Sequence, residues 1–312
     1  MIGIIYGGSG SGKSAFAENL AVRLCRGPLI YLATMAAGDA ESKNRILRHR
    51  RLRSGKGFQT EERYVRLEDW KLPDRATVLL ECLSNLTANE MFLPEGRRKE
   101  PLAAVLAGLS HLAEQADSLI VVSNDVFGDG LRYEGETETY LKVMAGAGAW
   151  LAEKADLVVE SVHGVPVWWK GSEKQIADER REGGGLMQLV TGGAYQGKLD
   201  FARTLAGKSS PVIWEGENGA AEDWRQVDIL SHFPAMIRRL LVEGADAEAA
   251  VERMIKENQE LVVVTEEIGC GLVPMDAFDR KFRETAGRLS CRLAGQAKDV
   301  YRVACGLAQK IK

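Results

Sequence analysis

Gly7-Gly8-Ser9-Gly10-Ser11-Gly12-Lys13-Ser14, placed directly after Ile2-Gly3-Ile4-Ile5-Tyr6, decides how this chain of 312 residues reads. The stretch satisfies the pattern G-x-x-x-x-G-K-[ST], in which glycines let backbone N–H groups turn inward around phosphate oxygens. The apolar run predicts a strand before the loop, and Ser14–Leu24 predicts a helix after it. A helix opening there adds its positive N-terminal end to the loop. In this pattern Lys13 reaches the β- and γ-phosphates of a nucleotide and Ser14 ligates Mg²⁺. A glycine-rich turn without a ligand would not need the whole motif between a strand and a helix.

The loop occurs twice. Gly192-Gly193-Ala194-Tyr195-Gln196-Gly197-Lys198-Leu199 follows Leu186 to Thr191 and precedes another helical stretch. It keeps the lysine but places Leu199 where the magnesium-binding hydroxyl belongs. The pair predicts a duplicated nucleotide-binding domain in which one copy has lost part of its chemistry.

The pattern around the loops agrees. Strands are expected at Ile2–Tyr6, Leu29–Ala33, Val78–Glu81, Leu119–Ser123, Leu157–Glu160 and Val165–Trp169. Helices are expected at Ser14–Leu24, Ala40–Arg51, Leu83–Phe92, Pro101–Gln115 and Glu136–Lys154. A shortened series follows. Its strands are Met187–Val190, Val212–Trp214, Val227–Leu230, Leu261–Thr265, Val300–Ala304 and Gln309–Ile311. Its helices are Leu199–Ala206, Phe233–Val242, Ala247–Asn258 and Ala277–Gly295. The alternation predicts an α/β fold, a mostly parallel sheet with helices on both faces, present twice in tandem. Gly171 to Gly185 is polar and ends in three glycines, which divides the chain into 1–171, a linker at 172–185, and 186–312.

The bulk numbers narrow the function. A hydrophobic share of 45% with 27% charged residues is that of a globular protein, and a net charge of −3 gives no strong pull toward nucleic acid or an anionic membrane. No apolar run approaches the ~20 residues of a membrane span. With no basic-then-apolar leader at the N-terminus, a cytoplasmic location is expected. The five cysteines, Cys25, Cys82, Cys270, Cys291 and Cys305, are odd in number and never spaced C-x-x-C, so they read as reduced thiols. No Cys/His cluster or H-E-x-x-H motif suggests zinc.

Two further places carry chemistry. Thr77-Val78-Leu79-Leu80-Glu81 ends a strand in a carboxylate at the edge where such sheets bind ligands, so Glu81 is the expected acidic partner of the metal. A carboxylate capping the next helix is the plainer reading, and the two are compatible. Arg45-Ile46-Leu47-Arg48-His49-Arg50-Arg51-Leu52-Arg53 sets one histidine among five arginines. Neighbouring cations favour neutral imidazole, the form a nucleophile needs, and the arginines could hold phosphate oxygens. On these residues alone, a solvated basic helix face is the leading reading. His111 reads as packing or surface, and His163 and His232 sit at expected turns.

Taken in order, these pieces resemble a known family. They are Tyr31-Leu32-Ala33-Thr34, Asp39-Ala40-Glu41, Arg45-Ile46 with His49 and Arg53, Phe58-Gln59-Thr60-Glu61-Glu62, Leu79-Leu80-Glu81-Cys82-Leu83 and Val122-Ser123-Asn124-Asp125. The set resembles the bifunctional adenosylcobinamide kinase/adenosylcobinamide-phosphate guanylyltransferases of cobalamin biosynthesis. The resemblance covers most of 1–171 and returns at the second loop, from Val263 to Pro274, from Arg280 to Glu284, and at Gly287. It implies a RecA-like fold and a corrinoid substrate. It also implies Mg²⁺, with GTP, and ATP as an open second donor. His49 would carry GMP, with Lys13 and Glu81 catalytic and Ser14 and Glu81 at the metal. Gly7, Gly8, Ser9, Gly10, Ser11, Gly12, Lys13 and Ser14 would bind the nucleotide. Ala33, Thr34, Met35, Arg50, Arg51, Leu52, Arg53, Glu62 and Glu81 would join them.

The departures are complementary. The family's N-E-V-G-x-G-x-V-P loop survives in the first half only as Asn124-Asp125-Val126-Phe127-Gly128-Asp129-Gly130-Leu131, without its proline. The second half keeps that loop better but has no R-I-x-x-H segment, and Asp228 is its expected counterpart of Glu81. The expectation is therefore a working first copy with a specialised second one, forming an intrachain pseudo-oligomer or a homo-oligomer. A kinase without guanylyltransfer, a regulatory nucleotide-binding protein and a generic P-loop kinase are the competing readings.

Overall fold

The computed structural model describes residues 1–36, 46–47, 50–51, 53–72, 75–172 and 186–312. The expected linker at 172–185 falls almost entirely outside them. By contacts the chain divides into two compact units. The first is Met1–Gly7, Lys13–Glu160 and Trp168–Asp178, and the second is Gly8–Gly12, Ser161–Val167 and Glu179–Lys312.

The first sheet begins with β1 (Ile2–Gly7), β2 (Leu29–Ala33), β3 (Gln59–Glu62) and β4 (Thr77–Glu81). It continues with β5 (Ser118–Asn124), β6 (Leu157–Val162) and β7 (Val165–Lys170). Their order is β3-β2-β4-β5-β1-β6-β7, and the pairings from β3 across to β6 are parallel. The helices are α1 (Lys13–Leu24), α2 (Leu83–Phe92), α3 (Pro101–Gln115) and α4 (Gly135–Lys154). Strands covered on both faces need continuous apolar runs. Val78, Leu79 and Leu80 accordingly lie wholly buried in sequence. Ile5, Leu79, Ile120, Val122, Leu157 and Val159 pack with Ala17, Leu20 and Ala21 of α1. Strand order reverses beside β1, which places the start of the first loop at the crevice where doubly wound sheets hold ligands.

The second sheet is built from β8 (Gln188–Thr191), β9 (Ile213–Glu215), β10 (Ile229–Ser231), β11 (Val262–Val264), β12 (Asp299–Ala304) and β13 (Leu307–Lys310). The order is β13-β12-β8-β11-β10-β9, with only β12–β13 antiparallel. Its helices are α5 (Lys198–Ala206), α6 (Phe233–Val242), α7 (Ala247–Glu257) and α8 (Ala277–Gln296). Asp246 caps α7 by accepting from Glu248 and Ala249 N–H, and Asp276 caps α8 by accepting from Asp279 N–H. Trp224, Phe233, Met236, Ile237 and Val263 form a core with Leu289 and Leu293 of α8.

Without β3, the first order reads β2-β4-β5-β1-β6-β7, which is the second order strand for strand. Both sheets end in a two-residue hairpin with left-handed residues, His163 (φ 49°) with Gly164 (φ 80°) and Cys305 (φ 50°) with Gly306 (φ 80°). The α/β fold is thus present twice, as expected. Among the described residues, the one strand without an expectation is β3. Gln59-Thr60-Glu61-Glu62 has no apolar alternation, because this edge strand has no buried face and joins the sheet through its backbone ladder to β2.

Candidate active site

In the first unit Lys13 and Ser14 open α1. Lys13 is buried. The Ser14 hydroxyl donates to Glu81 Oε1 across a short hydrogen bond. Glu81 closes β4, and its other oxygen, Oε2, is buried with no hydrogen-bond partner among the described residues. Burial raises the Glu81 carboxyl above its ordinary pKa, against the lowering effect of the Ser14 hydrogen bond and the Lys13 charge. A buried, orphaned carboxylate oxygen costs free energy unless something pairs with it. A hydroxyl and a carboxylate converging from two elements, with one oxygen unpaired, fit the oxygen-donor set of Mg²⁺.

Register explains why the other predicted residues assemble. Ala33 of β2 faces Glu62 of β3 on one side and Glu81 of β4 on the other, so all three share the carboxyl edge of the sheet. Thr34 is fully buried and engaged in positioning. Its N–H donates to Glu81 O (3.0 Å), its hydroxyl donates to Cys82 O (2.9 Å) and accepts from Cys82 N–H (2.7 Å). Met35 is partly buried beside it.

The arginines divide. Arg50 donates to Glu62 Oε1 (2.7 Å), whose Oε2 accepts from the Tyr64 hydroxyl (2.9 Å). Arg51 is exposed. Arg53 is buried, with its guanidinium 3.7 Å from the centre of the Tyr31 ring and a hydrogen bond to Thr60 Oγ1 (3.2 Å). That stacking seats the end of the basic segment on β2 and β3. His49 and Leu52 lie outside the described residues. Sequence reading missed Glu18, buried on α1 and paired with Lys56 Nζ at 2.7 Å. The signal was available, since Glu18 falls on the stripe of buried positions with Ala17, Leu20 and Ala21. It also missed Asn89, whose amide donates to Thr34 O (2.8 Å) and Tyr64 O (3.0 Å).

Gly8–Gly12 belong by contact to the second unit. Ser9 N–H donates to Gly269 O (2.8 Å), and the Cys291 thiol donates to Gly10 O (3.1 Å). Ser11 O accepts from Gly164 N–H and from Ser161 Oγ, each at 2.7 Å. The Ser11 hydroxyl is buried and unpartnered among the described residues. Gly10 (φ 72°) and Gly12 (φ 85°) adopt left-handed conformations that favour glycine.

The second loop repeats this frame. Gly306 N–H donates to Gln196 O (3.0 Å), as Gly164 does to Ser11. Lys198 is buried, with Nζ donating to Gly193 O (2.7 Å) and lying 3.4 Å from Glu266 Oε1. Leu199 packs against an apolar cluster of Val190, Ala202, Val262 and Val264.

Asp228 is not the counterpart of Glu81. It precedes β10, and its carboxylate accepts from Lys208 Nζ (2.5 Å) and Val212 N–H (2.8 Å) at the strand's N-terminal end. Register identifies the true counterpart. Leu80 faces Val121, which faces Ile4, three residues before Gly7. Leu230 faces Val263, which faces Leu189, three residues before Gly192. Ser231 therefore stands where Glu81 stands, and the second copy lacks both the hydroxyl and the acid.

His111 Nε2 lies 2.9 Å from Trp70 O, a packing role. His163 is buried with Nε2 2.9 Å from Thr191 Oγ1, and burial together with Arg302 lowers its pKa to about 4. His232 Nδ1 lies 3.0 Å from Glu217 Oε1 and 3.7 Å from Glu215 Oε2 in an exposed group. All five cysteines are free. No helix among the described residues is long and apolar enough to cross a membrane.

Comparison with known proteins matches residues 3–168 and 227–311 to the family described as cobinamide kinase / cobinamide phosphate guanyltransferase. The bifunctional adenosylcobalamin biosynthesis protein CobU of Escherichia coli is 29% identical over 181 residues, covering 41% of this chain and all of that protein. CobU of Salmonella typhimurium is 30% identical over 181 residues with the same coverage. The bifunctional adenosylcobalamin biosynthesis protein CobP of Pseudomonas aeruginosa is 30% identical over 171 residues, covering 54% of this chain and 96% of that protein.

Proposed function

The chain belongs to the cobinamide kinase / cobinamide phosphate guanyltransferase family, and on that premise we propose that it phosphorylates cobinamide or adenosylcobinamide and then transfers GMP from GTP to the product. The observation that carries this reading is the Ser14–Glu81 pair with its orphaned oxygen, beside buried Lys13.

In the first reaction the substrate hydroxyl attacks the γ-phosphorus of GTP or ATP, the bond from that phosphorus to the β,γ-bridging oxygen breaks, GDP or ADP leaves, and the hydroxyl proton passes to water. Lys13 meets the charge on the β- and γ-phosphates, and the loop's remaining N–H groups orient them. Mg²⁺, when bound, neutralises phosphate charge, and Ser14 and Glu81 are the residues that would hold it. In the second reaction a neutral His49 ring nitrogen attacks the α-phosphorus of GTP, and pyrophosphate leaves as the α–β bridge bond breaks. An oxygen of cobinamide phosphate then attacks the same phosphorus, the P–N bond breaks, and His49 is restored. Thr34 fixes the Glu81–Cys82 backbone, and Arg53 and Lys56 anchor the segment that follows His49.

Incubation with cobinamide, Mg²⁺ and GTP labelled in its α-phosphate tests this reading. The corrinoid should gain a phosphate and then a GMP, and the protein should carry an acid-labile, base-stable label that His49→Ala abolishes. Label retained by that variant excludes His49. Phosphorylation without any protein adduct favours the kinase-only reading, which the altered Asn124–Leu131 loop motivates. Tight GTP binding without turnover favours a regulatory protein.

A further inference from the structure

The second glycine loop keeps most of an anion cradle. Gly192, Gly193, Gly197 and Lys198 occupy the same offsets as Gly7, Gly8, Gly12 and Lys13, and a nine-residue helix, α5, opens from it. Gly192 (φ 146°) and Gly197 (φ 84°) repeat the conformations of Gly7 (φ 155°) and Gly12 (φ 85°). The lysine of this loop has an acidic partner within its own unit. Lys198 and Glu266 pair with side chains only 7% and 21% exposed, so the charge of Lys198 is answered from inside the same unit.

The position of that carboxylate is specific to the second copy. Gly7 faces Asn124 on β5. Val190 faces Val264 on β11, and Thr265 N–H continues the ladder onto Val190 O (2.9 Å). Two residues further, Glu266 falls opposite Gly192, where the first copy has neutral Asn124. The next acid, Glu267, is held by Arg302 Nε at 3.2 Å and does not compete for Lys198.

We propose that Glu266 closes the second loop by standing at Lys198 where a phosphate oxygen would stand. A phosphate approaching the loop meets a lysine already neutralised and a fixed negative charge beside it. Removing that charge uncovers a weak, metal-independent anion site, because the glycine backbone and the lysine remain while Leu199 replaces the metal-binding hydroxyl and no carboxylate stands at Ser231. The inference concerns binding alone and does not depend on the corrinoid chemistry proposed above.

The test titrates inorganic pyrophosphate by calorimetry, without divalent metal, into chains whose first loop is silenced by Lys13→Ala. That single variant should show no binding at millimolar pyrophosphate. Adding Glu266→Gln should create a site at least about 10-fold tighter than the detection limit, and further Lys198→Ala should remove it. Glu266→Asn, the residue of the first copy, provides a second route if glutamine disturbs the fold. Pyrophosphate bound through Lys198 in the Lys13→Ala chain alone overturns the proposal. So does either folded Glu266 variant that binds no better than its parent.

Discussion

The two glycine loops share a backbone and differ at the atoms that do chemistry. Each follows a central parallel strand, opens a helix with a buried lysine, and accepts a hydrogen bond from the glycine of a terminal hairpin. In the first copy Ser14 and Glu81 converge and leave an oxygen unpaired. In the second, Leu199 has joined an apolar cluster, Ser231 stands at the acid's position, and Glu266 answers the lysine. The difference teaches that one loop backbone can frame a converging hydroxyl and acid in one copy and an internally paired lysine in the other.

The largest expected effect breaks this comparison directly. Lys13→Ala should lower kcat for phosphoryl transfer on the order of 10²–10³-fold or more, since it removes a charge aimed at the transition state. Lys198→Ala should leave steady-state turnover within a few fold. Next, Ser14→Ala should weaken Mg²⁺ dependence by at least about 10-fold, measured as the metal concentration for half-maximal rate. Leu199→Ser should create no second active site, and a second nucleotide turned over per chain by that variant would contradict the account.

A smaller effect concerns the paired hairpins, where His163 is buried against Thr191 and Cys305 is exposed. His163 has a native pKa of about 4 against about 6.5 when unfolded. Its neutral form is native above the unfolded value, so no stability is lost there. As pH falls from about 6.5 toward 4, the unfolded chain takes the proton and the native one does not. Stability should drop by at most about 3 kcal/mol across that window. Denaturant titration at pH 7 and 4.5 should show this loss in the wild type and a reduced loss in His163→Asn. The smallest effect is steric. A Cβ at Gly287 would lie 2.9 Å from Gly10 Cα, so Gly287→Ala should destabilise by about 1–3 kcal/mol in a thermal melt.

Much of this was legible in the sequence, for physical reasons. Fully buried parallel strands and amphipathic helices declare themselves by apolar runs and period, and the loop motif fixes Lys13, Ser14 and the strand before them. Glu81 was legible because it ends such a run. The edge strand at Gln59–Glu62 was not, since it has no buried face. Asp228 misled because an acid beside a strand looks alike at either end, and only register separates the N-terminal edge from the carboxyl edge. Asn89 and Lys56 were not legible, because they act through contacts 25 and 55 residues away in sequence for Asn89 and 38 for Lys56, which periodicity cannot reveal.

The most direct test of the central claim counts nucleotides. Equilibrium dialysis with GTP and Mg²⁺ should give one GTP per chain, lost in Lys13→Ala and kept in Lys198→Ala. Two GTP per chain, or binding that survives Lys13→Ala and disappears in Lys198→Ala, would contradict the assignment of nucleotide chemistry to the first copy.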